Sequence, residues 1–506
     1  MRRWKLSPAV GLLAACLAFN AWAGDFMDTR LSFVFADDNV LAKAGETTPS
    51  SPSAHFGAGN QNTQFYDNFN SRYTGFETLS HLVLYKKGET FFTGLTAEAA
   101  LVVLALEQPS GQIGLQDDSS YIRLTYRPAT WGINEGIALT AFPVSGDRFR
   151  LGYAYRVTWG GSSIFTSRAA NSGVPAVKLQ LTRDRWYAFV GMKTGLLLND
   201  LILEQETQYG FLAGAGVDVL PTLRVEANGG WFQKGIIPGL ANQGISAPVT
   251  AAGASAEAVY HVGVPVGQSV DLKLYKNDPE LYNNLFAPEA YPGGLSYSVS
   301  VEGDYLRQTL EDPDVFGRTV AQNATAIALQ ARMKYNNLRA HVLGMYRSLS
   351  YIQFNVPGLP PYKDFPNGST AKPEMFIAAG VDYHIEKWHL TPGIIAGIQR
   401  PATLNTPTTV FGGNNPSPAL SGGRTVVVRD VNQLSVLPTG KSAVNIYSAK
   451  ANMKIDLSDN FAAVAEVYYN YDYNRTTFRD DQSGVAEPTF EKPNEVGFNA
   501  IIQARF

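Results

Sequence analysis

The chain has 506 residues with 41 Lys and Arg against 44 Asp and Glu, and this balance gives no support for nucleic-acid binding. Its one cysteine is Cys16, so beyond that point disulfides, thiol catalysis and cysteine metal sites are excluded. No run after the first twenty or so residues approaches the roughly 18 apolar residues of a membrane helix, which excludes a helical membrane protein but not a barrel.

Arg2, Arg3 and Lys5 open the chain, an apolar run extends from Leu6 to Phe19, and Ala21-Trp22-Ala23 offers a small-x-small cleavage site before Gly24. This layout predicts a cleaved secretory signal peptide over 1–23. Leu13-Ala14-Ala15-Cys16 also fits a lipobox, but the residues after Cys16 stay apolar, which suits a continuing apolar region better. Removing 1–23 takes away three basic residues (41 less 3 gives 38 against 44 acidic), so the remainder is more acidic still.

From Thr29 onward, apolar residues recur at every second position, the spacing that lines one face of a strand. Thr29, Leu31, Phe33 and Phe35 form the first such face. Leu82 and Leu84 lead through Lys86 to Glu89 into Leu95, Ala97, Ala99, Leu101 and Val103. Val177, Leu179 and Leu181 turn at Arg183-Asp184 into Trp186, Ala188, Val190 and Met192. Tyr209 to Val219 turns at Pro221-Thr222 into Leu223, Val225, Ala227, Gly229 and Trp231. Ile327 to Tyr335 turns at Asn336-Asn337 into Leu338 to Tyr346, and Ile377 to Ile385 turns at Glu386-Lys387 into Trp388 to Ile398. The clearest hairpin runs from Ala443 to Tyr473 about Ser458-Asp459-Asn460. Glu495 to Phe506 alternates as well, with Val496, Phe498, Ala500, Ile502, Ala504 and Phe506 on one face.

None of these dry faces carries a charge, and an Arg or Lys there at mid-bilayer costs roughly 2–4 kcal/mol. A soluble sandwich also alternates, but its dry face is filled with large side chains and its strands average about five or six residues. Here the dry faces are rich in Ala and Gly and longer. The rhythm of short turn and long loop matches a transmembrane barrel with short periplasmic connections and long external ones. Trp186 and Trp388 follow short turns, and Trp159 and Trp231 fall near outer strand ends, the positions of interfacial aromatic girdles; scattered core tryptophans are the rival account.

The C-terminal stretch resembles the insertion signal of bacterial outer-membrane β-barrel proteins, which typically end in Phe, here Phe506. Over nearly the whole chain after residue 23 the architecture looks like a porin-type barrel, with no plug domain before the first strand and no passenger domain. The resemblance implies bacterial outer-membrane localisation and contact with outer-membrane lipid and lipopolysaccharide. It also implies engagement of the barrel-assembly machinery by the C-terminal strand.

The expected fold is all-β: a single transmembrane antiparallel β-barrel over 24–506, with about 18 strands (16–20 open). Ile137–Phe142 and Val270–Tyr275 break the up-and-down parity set by the short turns. Omitting both makes 128–147 and 265–293 long periplasmic connections able to fold into the lumen.

The wet faces carry the candidate site. Basic candidates are Arg123, Arg127, Arg148, Arg150 and Arg156 on neighbouring expected strands, then Arg332, Lys334, Arg339 and Arg347. Rings of such side chains favour anion passage. The blander account pairs them with Glu98, Glu226, Glu257, Glu302 and Asp304 across the interior. Tyr121, Tyr187, Phe189 and Tyr468 also point inward, as a sugar slide or as packing. Asp37-Asp38, Asp278 and Asp480-Asp481 lack the spacing of a calcium loop, and no metal or cofactor is expected. Gly440-Lys441-Ser442 ends like a phosphate-binding loop, but Ser435 stands where its glycine belongs. With six histidines and no hydrolase motif, no enzyme is expected. The function expected is a porin-like passive channel for small polar solutes. The alternative is a plugged barrel anchoring a secretion, motility or polysaccharide-export assembly, with envelope proteins as partners.

Overall fold

The computed structural model describes residues 28–37, 39–43, 55–56, 81–107, 113–154, 157–165, 173–263, 293–354, 362–406, 423–430, 433–480 and 486–505. The expected signal peptide, Arg156, Val270–Tyr275, residues 265–292 and Phe506 lie outside them.

Eighteen strands form one antiparallel meander. They are β1 (Asp28–Asp37), β2 (His81–Glu89), β3 (Leu95–Glu107), β4 (Tyr121–Tyr126), β5 (Gly136–Phe142) and β6 (Ala176–Thr182). Next come β7 (Trp186–Asn199), β8 (Glu204–Leu220), β9 (Leu223–Ile236), β10 (Pro248–Val262), β11 (Leu295–Glu311) and β12 (Thr319–Tyr335). Then follow β13 (Leu338–Arg347), β14 (Glu374–Tyr383), β15 (Leu390–Arg400), β16 (Ile446–Asp456), β17 (Phe461–Tyr471) and β18 (Asn494–Arg505). Each pairs with its predecessor and successor, and β18 pairs with both β17 and β1, as in Phe461↔Ala504 and Leu31↔Ala504. The sheet is a closed barrel, and closure leaves no bare edge along it.

Side chains sort by the strand period of two. Ile327, Ile377, Ile394, Val467 and Ile502 are each more than half exposed, while Lys450, Glu466 and Asn499 on the alternate positions are almost fully buried. This is the inverse of a soluble protein: the exterior is apolar and the interior polar. Lipid satisfies the first, and hydrogen bonding and ion pairing inside the barrel satisfy the second. Pro392 sits just past the last register pair with β14, while on its other side it is registered on Met453 of β16.

Among the described residues, several turns at one end are tight. Asn336 takes a left-handed φ of 48° between β12 and β13, and His389 one of 50° before β15. At the other end several connections are long and partly structured. A short helix, Leu349–Ile352, starts at Ser348, whose side chain accepts the Tyr351 amide. Beside it a four-stranded sheet of Thr370–Lys372, Ala402–Asn405, Thr425–Asp430 and Gln433–Val436 buries Leu404, Val426 and Val428 against Leu349 and Ile352.

Two expectations are corrected here. The segment 128–147 is not one connection. Residues 127–135 form the turn, and β5 spans the barrel wall, with Leu139 registered on Leu124 and Leu179. Conversely, Arg148 and Arg150 do not stand on a strand: residues 143–154 and 157–165, together called the inward segment below, leave β5 at the loop end and fold into the lumen. One strand gained and one lost leave the count at eighteen.

Candidate functional site

Among the described residues, the inward segment (143–154 and 157–165) is the main occupant of the barrel. Phe149, Leu151, Val157, Trp159, Ile164 and Phe165 are all buried. Leu151 and Trp159 exchange backbone hydrogen bonds of 2.9 Å each way, closing a small loop inside the larger one. The wall makes room through glycine. A Cβ on Gly191 would lie 2.4 Å from the Phe149 ring, and one on Gly195 2.9 Å from the Phe165 ring. Phe149 stacks on Phe142 with centroids 6.2 Å apart and meets Phe189 edge-on at 5.8 Å.

Polar contacts fix the segment's position. The fully buried Lys193 ammonium on β7 donates to the Gly146 carbonyl at 2.6 Å and the Gly160 carbonyl at 2.8 Å. Glu302 on β11 accepts the consecutive amides of Tyr153 and Ala154 at 2.7 and 2.5 Å. Asn228 accepts the Gly152 amide at 3.1 Å, the Trp159 indole donates to Ser255 at 2.9 Å, and the Tyr351 hydroxyl donates to the Val157 carbonyl. Burial opposes ionisation of Asp147, but Arg150, Lys193 and the Ser162 amide together bring its carboxyl below the usual range.

The candidate residues distribute unevenly. Arg123 points inward, 3.0 Å from Glu98. Arg148 and Arg150 lie on the inward segment, where Arg148 pairs with Asp118 and Arg150 lies 3.7 Å from Asp147. Arg127 is a correction: it is exposed in the turn beyond β4, because the strand ends at Tyr126. Arg332 and Lys334 are half-buried on the inner face of β12, and Arg332 donates to Gln330 at 3.2 Å. Arg339 pairs with Asp382 at 2.7 Å and the buried Arg347 with Glu374 at 2.6 Å. Basic residues thus mostly neutralise near neighbours, and the neighbours are often acids other than the five expected.

Those five take two places. Glu98 sits with Arg123 and the Tyr85 hydroxyl, 3.3 Å away. The other four share the wall made by β9, β10 and β11. Glu226 registers on Glu257, Glu257 on Glu302, and Asp304 follows two residues later on the same face. Tyr187 donates to Glu226 at 2.8 Å. Tyr121, Phe189 and Tyr468 are buried packing groups.

Among the tryptophans, Trp186, Trp231 and Trp388 are 42%, 39% and 60% exposed on the outer side. Trp159 is the correction: it is fully buried inside the barrel, on the inward segment, because its indole N–H finds Ser255 there. Sequence reasoning overlooked Lys193 and the inward segment. The available signal was the glycines on the inner faces of β7, β9 and β10, where a Cβ on Gly191, Gly195, Gly230 or Gly253 would meet Phe149, Phe165, Leu151 or Trp159 of that segment.

No family model and no curated protein matches the sequence. Solved structures do overlay at low similarity. Pseudomonas aeruginosa OpdQ shares 9% identity with a TM-score of 0.41, covering 95% of this chain and 97% of that one. Acinetobacter baumannii OccAB2 shares 7% with a TM-score of 0.43, covering 95% and 98%. Escherichia coli Wzi, an outer-membrane carbohydrate-binding β-barrel involved in group 1 capsule assembly, shares 10% with a TM-score of 0.42, covering 99% and 90%. Overlays at this level carry no argument about activity. The strand ladders and the inverted distribution of apolar and polar side chains give the architecture: a porin-like, outer-membrane type of β-barrel.

Proposed function

We propose that the protein is an outer-membrane channel for small polar solutes, passive, without a catalytic step, and narrowed by residues 143–165. The observation that carries this reading is the interior itself. A wall of acidic, basic and hydrogen-bonding side chains lines the barrel, and the largest insertion among the described residues is tethered to β7, β9, β10 and β11 by discrete polar contacts. Charged linings of this kind screen solutes by sign and width.

A second reading is a closed barrel that anchors an envelope assembly. It is favoured by the dense packing around the inward segment, where one apolar cluster runs from Val83 on β2 across Trp159 to Ile395 on β15. Conductance in planar bilayers separates the two. Stable currents from the intact protein support the channel. Silence that turns to current when 147–164 is replaced by a short Gly-Ser linker supports the closed anchor. Silence in both proteins refutes the channel.

A further inference from the structure

At the long-loop end the wall carries a groove on its lipid side. The open concavity has a volume of about 1080 Å³ and lies across the ends of β13 to β17. Strand register explains its form. Ile377, Ile398, Tyr447 and Tyr471 stand opposite one another in a continuous row from β14 to β17. Tyr346, Met375 and Arg400 make the next row outward, on β13, β14 and β15. Because β16 begins only at Ile446, which registers on Gln399, no strand residue faces Arg400 on that side. Met375, Ile377 and Tyr447 are each about half exposed on the outer face. Apolar residues thus hold the middle of the groove and tyrosines its flanks. Tyr473, also lining it, is fixed by stacking on Phe490 with centroids 5.3 Å apart.

Arg400 is out of keeping with its surroundings. Other charges at this end of the wall are buried and paired: Arg347 lies 2.6 Å from Glu374, and Asp472 pairs with Arg429. Arg400 is exposed on the outer face, and its guanidinium makes no hydrogen bond or ion pair among the described residues. Arginine on a barrel exterior is costly at mid-bilayer and tolerated near the interface, whose depth aromatic girdles mark. The tyrosines therefore put a free guanidinium at the level of lipid headgroups. The row of Ile377 and Ile398 lies one step closer to the hydrocarbon.

A guanidinium grips phosphate oxygens through parallel N–H bonds, and a phenol donates one more. An acyl chain suits the apolar row beneath, and a lipid carries both parts where a free anion carries one. We propose that the groove binds a phosphorylated glycolipid of the outer leaflet, with its phosphate on Arg400 and an acyl chain along Ile377 and Ile398. Charge complementarity and the apolar row select this occupant. The site rests on placement in an outer membrane. It stands outside the lumen, so it holds whether or not the barrel conducts.

The probe is bisphosphorylated lipid A, titrated into the detergent-purified full chain and read by native mass spectrometry. The dephosphorylated form of the same lipid and inorganic phosphate are the controls. Lipid A should bind saturably, its dephosphorylated form about tenfold more weakly, and inorganic phosphate should not compete. Arg400→Gln should weaken lipid A about tenfold or more, the usual worth of a lost charge-assisted contact. Tyr447→Ala should weaken it by a smaller factor. Arg307, exposed on the outer face of β11 and away from the groove, is the internal control, and Arg307→Gln should leave binding unchanged. Retained heat-modifiable migration in gels shows that each variant is folded. Lipid A binding that is absent, or unchanged in Arg400→Gln, overturns the site. Equal weakening by Arg307→Gln reduces it to general attraction for headgroups and also overturns it. Displacement by inorganic phosphate assigns the groove to a free anion, and a dimer that Arg400→Gln dissociates assigns it to a second copy; either result refutes the lipid.

Discussion

Replacing Lys193 with Met should free the inward segment while leaving the barrel closed. Lys193 is fully buried and its ammonium bonds two carbonyls of that segment, Gly146 and Gly160, at 2.6 and 2.8 Å. It also lies 5.5 Å from the Phe149 ring centroid. Met retains most of the side-chain length and its apolar contacts, so the packing loss is small. The change removes charge-assisted hydrogen bonds of about 1.5–3 kcal/mol each, and each carbonyl left dry adds about 1–3 kcal/mol. Relief of the lysine's own desolvation offsets part of this, leaving a net loss of about 3 kcal/mol in the segment's docking. At about 1.4 kcal/mol per tenfold, local opening becomes roughly a hundredfold more frequent. Hydrogen–deuterium exchange reads it directly at the Leu151 and Trp159 amides, which bond to each other's carbonyls. Exchange there should quicken about a hundredfold, with that of β16 and β17 unchanged. Unaltered exchange at Leu151 and Trp159 would refute the claim that Lys193 holds the segment in the lumen.

Arg347→Met leaves Glu374 buried and without the guanidinium 2.6 Å away, which should cost about 3–5 kcal/mol in urea unfolding from liposomes. On the outer face, Ile394→Arg should cost about 2–4 kcal/mol in the same assay, whereas Leu457→Arg at a turn should cost about 0–1. Equal costs for those two would contradict a lipid-facing exterior. In the turn after β4, the amides of Gly132 and Asp184 and the Arg183 guanidinium hold the Glu135 carboxyl below the usual carboxylate range. Because its folded value is depressed, the contact stands above the ordinary carboxylate pKa and is lost as pH falls through the lowered one. Acidification should therefore lower the protection of the Gly132 and Asp184 amides relative to their intrinsic exchange rates, and Glu135→Gln should remove that pH dependence of the protection.

Much of the wall was legible because lipid imposes a single rule on every stave. Tyr447 to Ile455, Phe461 to Tyr471 and Val496 to Ile502 alternate cleanly, and their registers follow from tight turns such as Ser458-Asp459-Asn460. Periodicity failed where burial had another cause. Phe149, Leu151 and Tyr153 alternate like a strand, yet their dry side faces Phe142, Phe189 and the glycines of the inner wall. Alternation reports which side of the backbone is dry, not whether the backbone has joined a sheet. β5 shows the converse: Ile137, Leu139 and Ala141 fit the pattern, but the up-and-down parity inferred from the short turns excludes the segment, and that parity is misread while Arg148 and Arg150 count as strand residues. Sequence spacing also gave no means of knowing that Arg347 meets Glu374, since 27 residues and a long connection separate them.

The pairing of β1 with β18 joins Leu31 to Ala504 and Phe35 to Ala500. Until residues near 500 have been delivered, β17 and β1 each present a row of unmatched amides and carbonyls, intolerable in hydrocarbon. Biogenesis of this molecule therefore has a compulsory last act. Any helper that threads it into lipid would have to shelter two raw margins simultaneously and release them only when the final stave zips both.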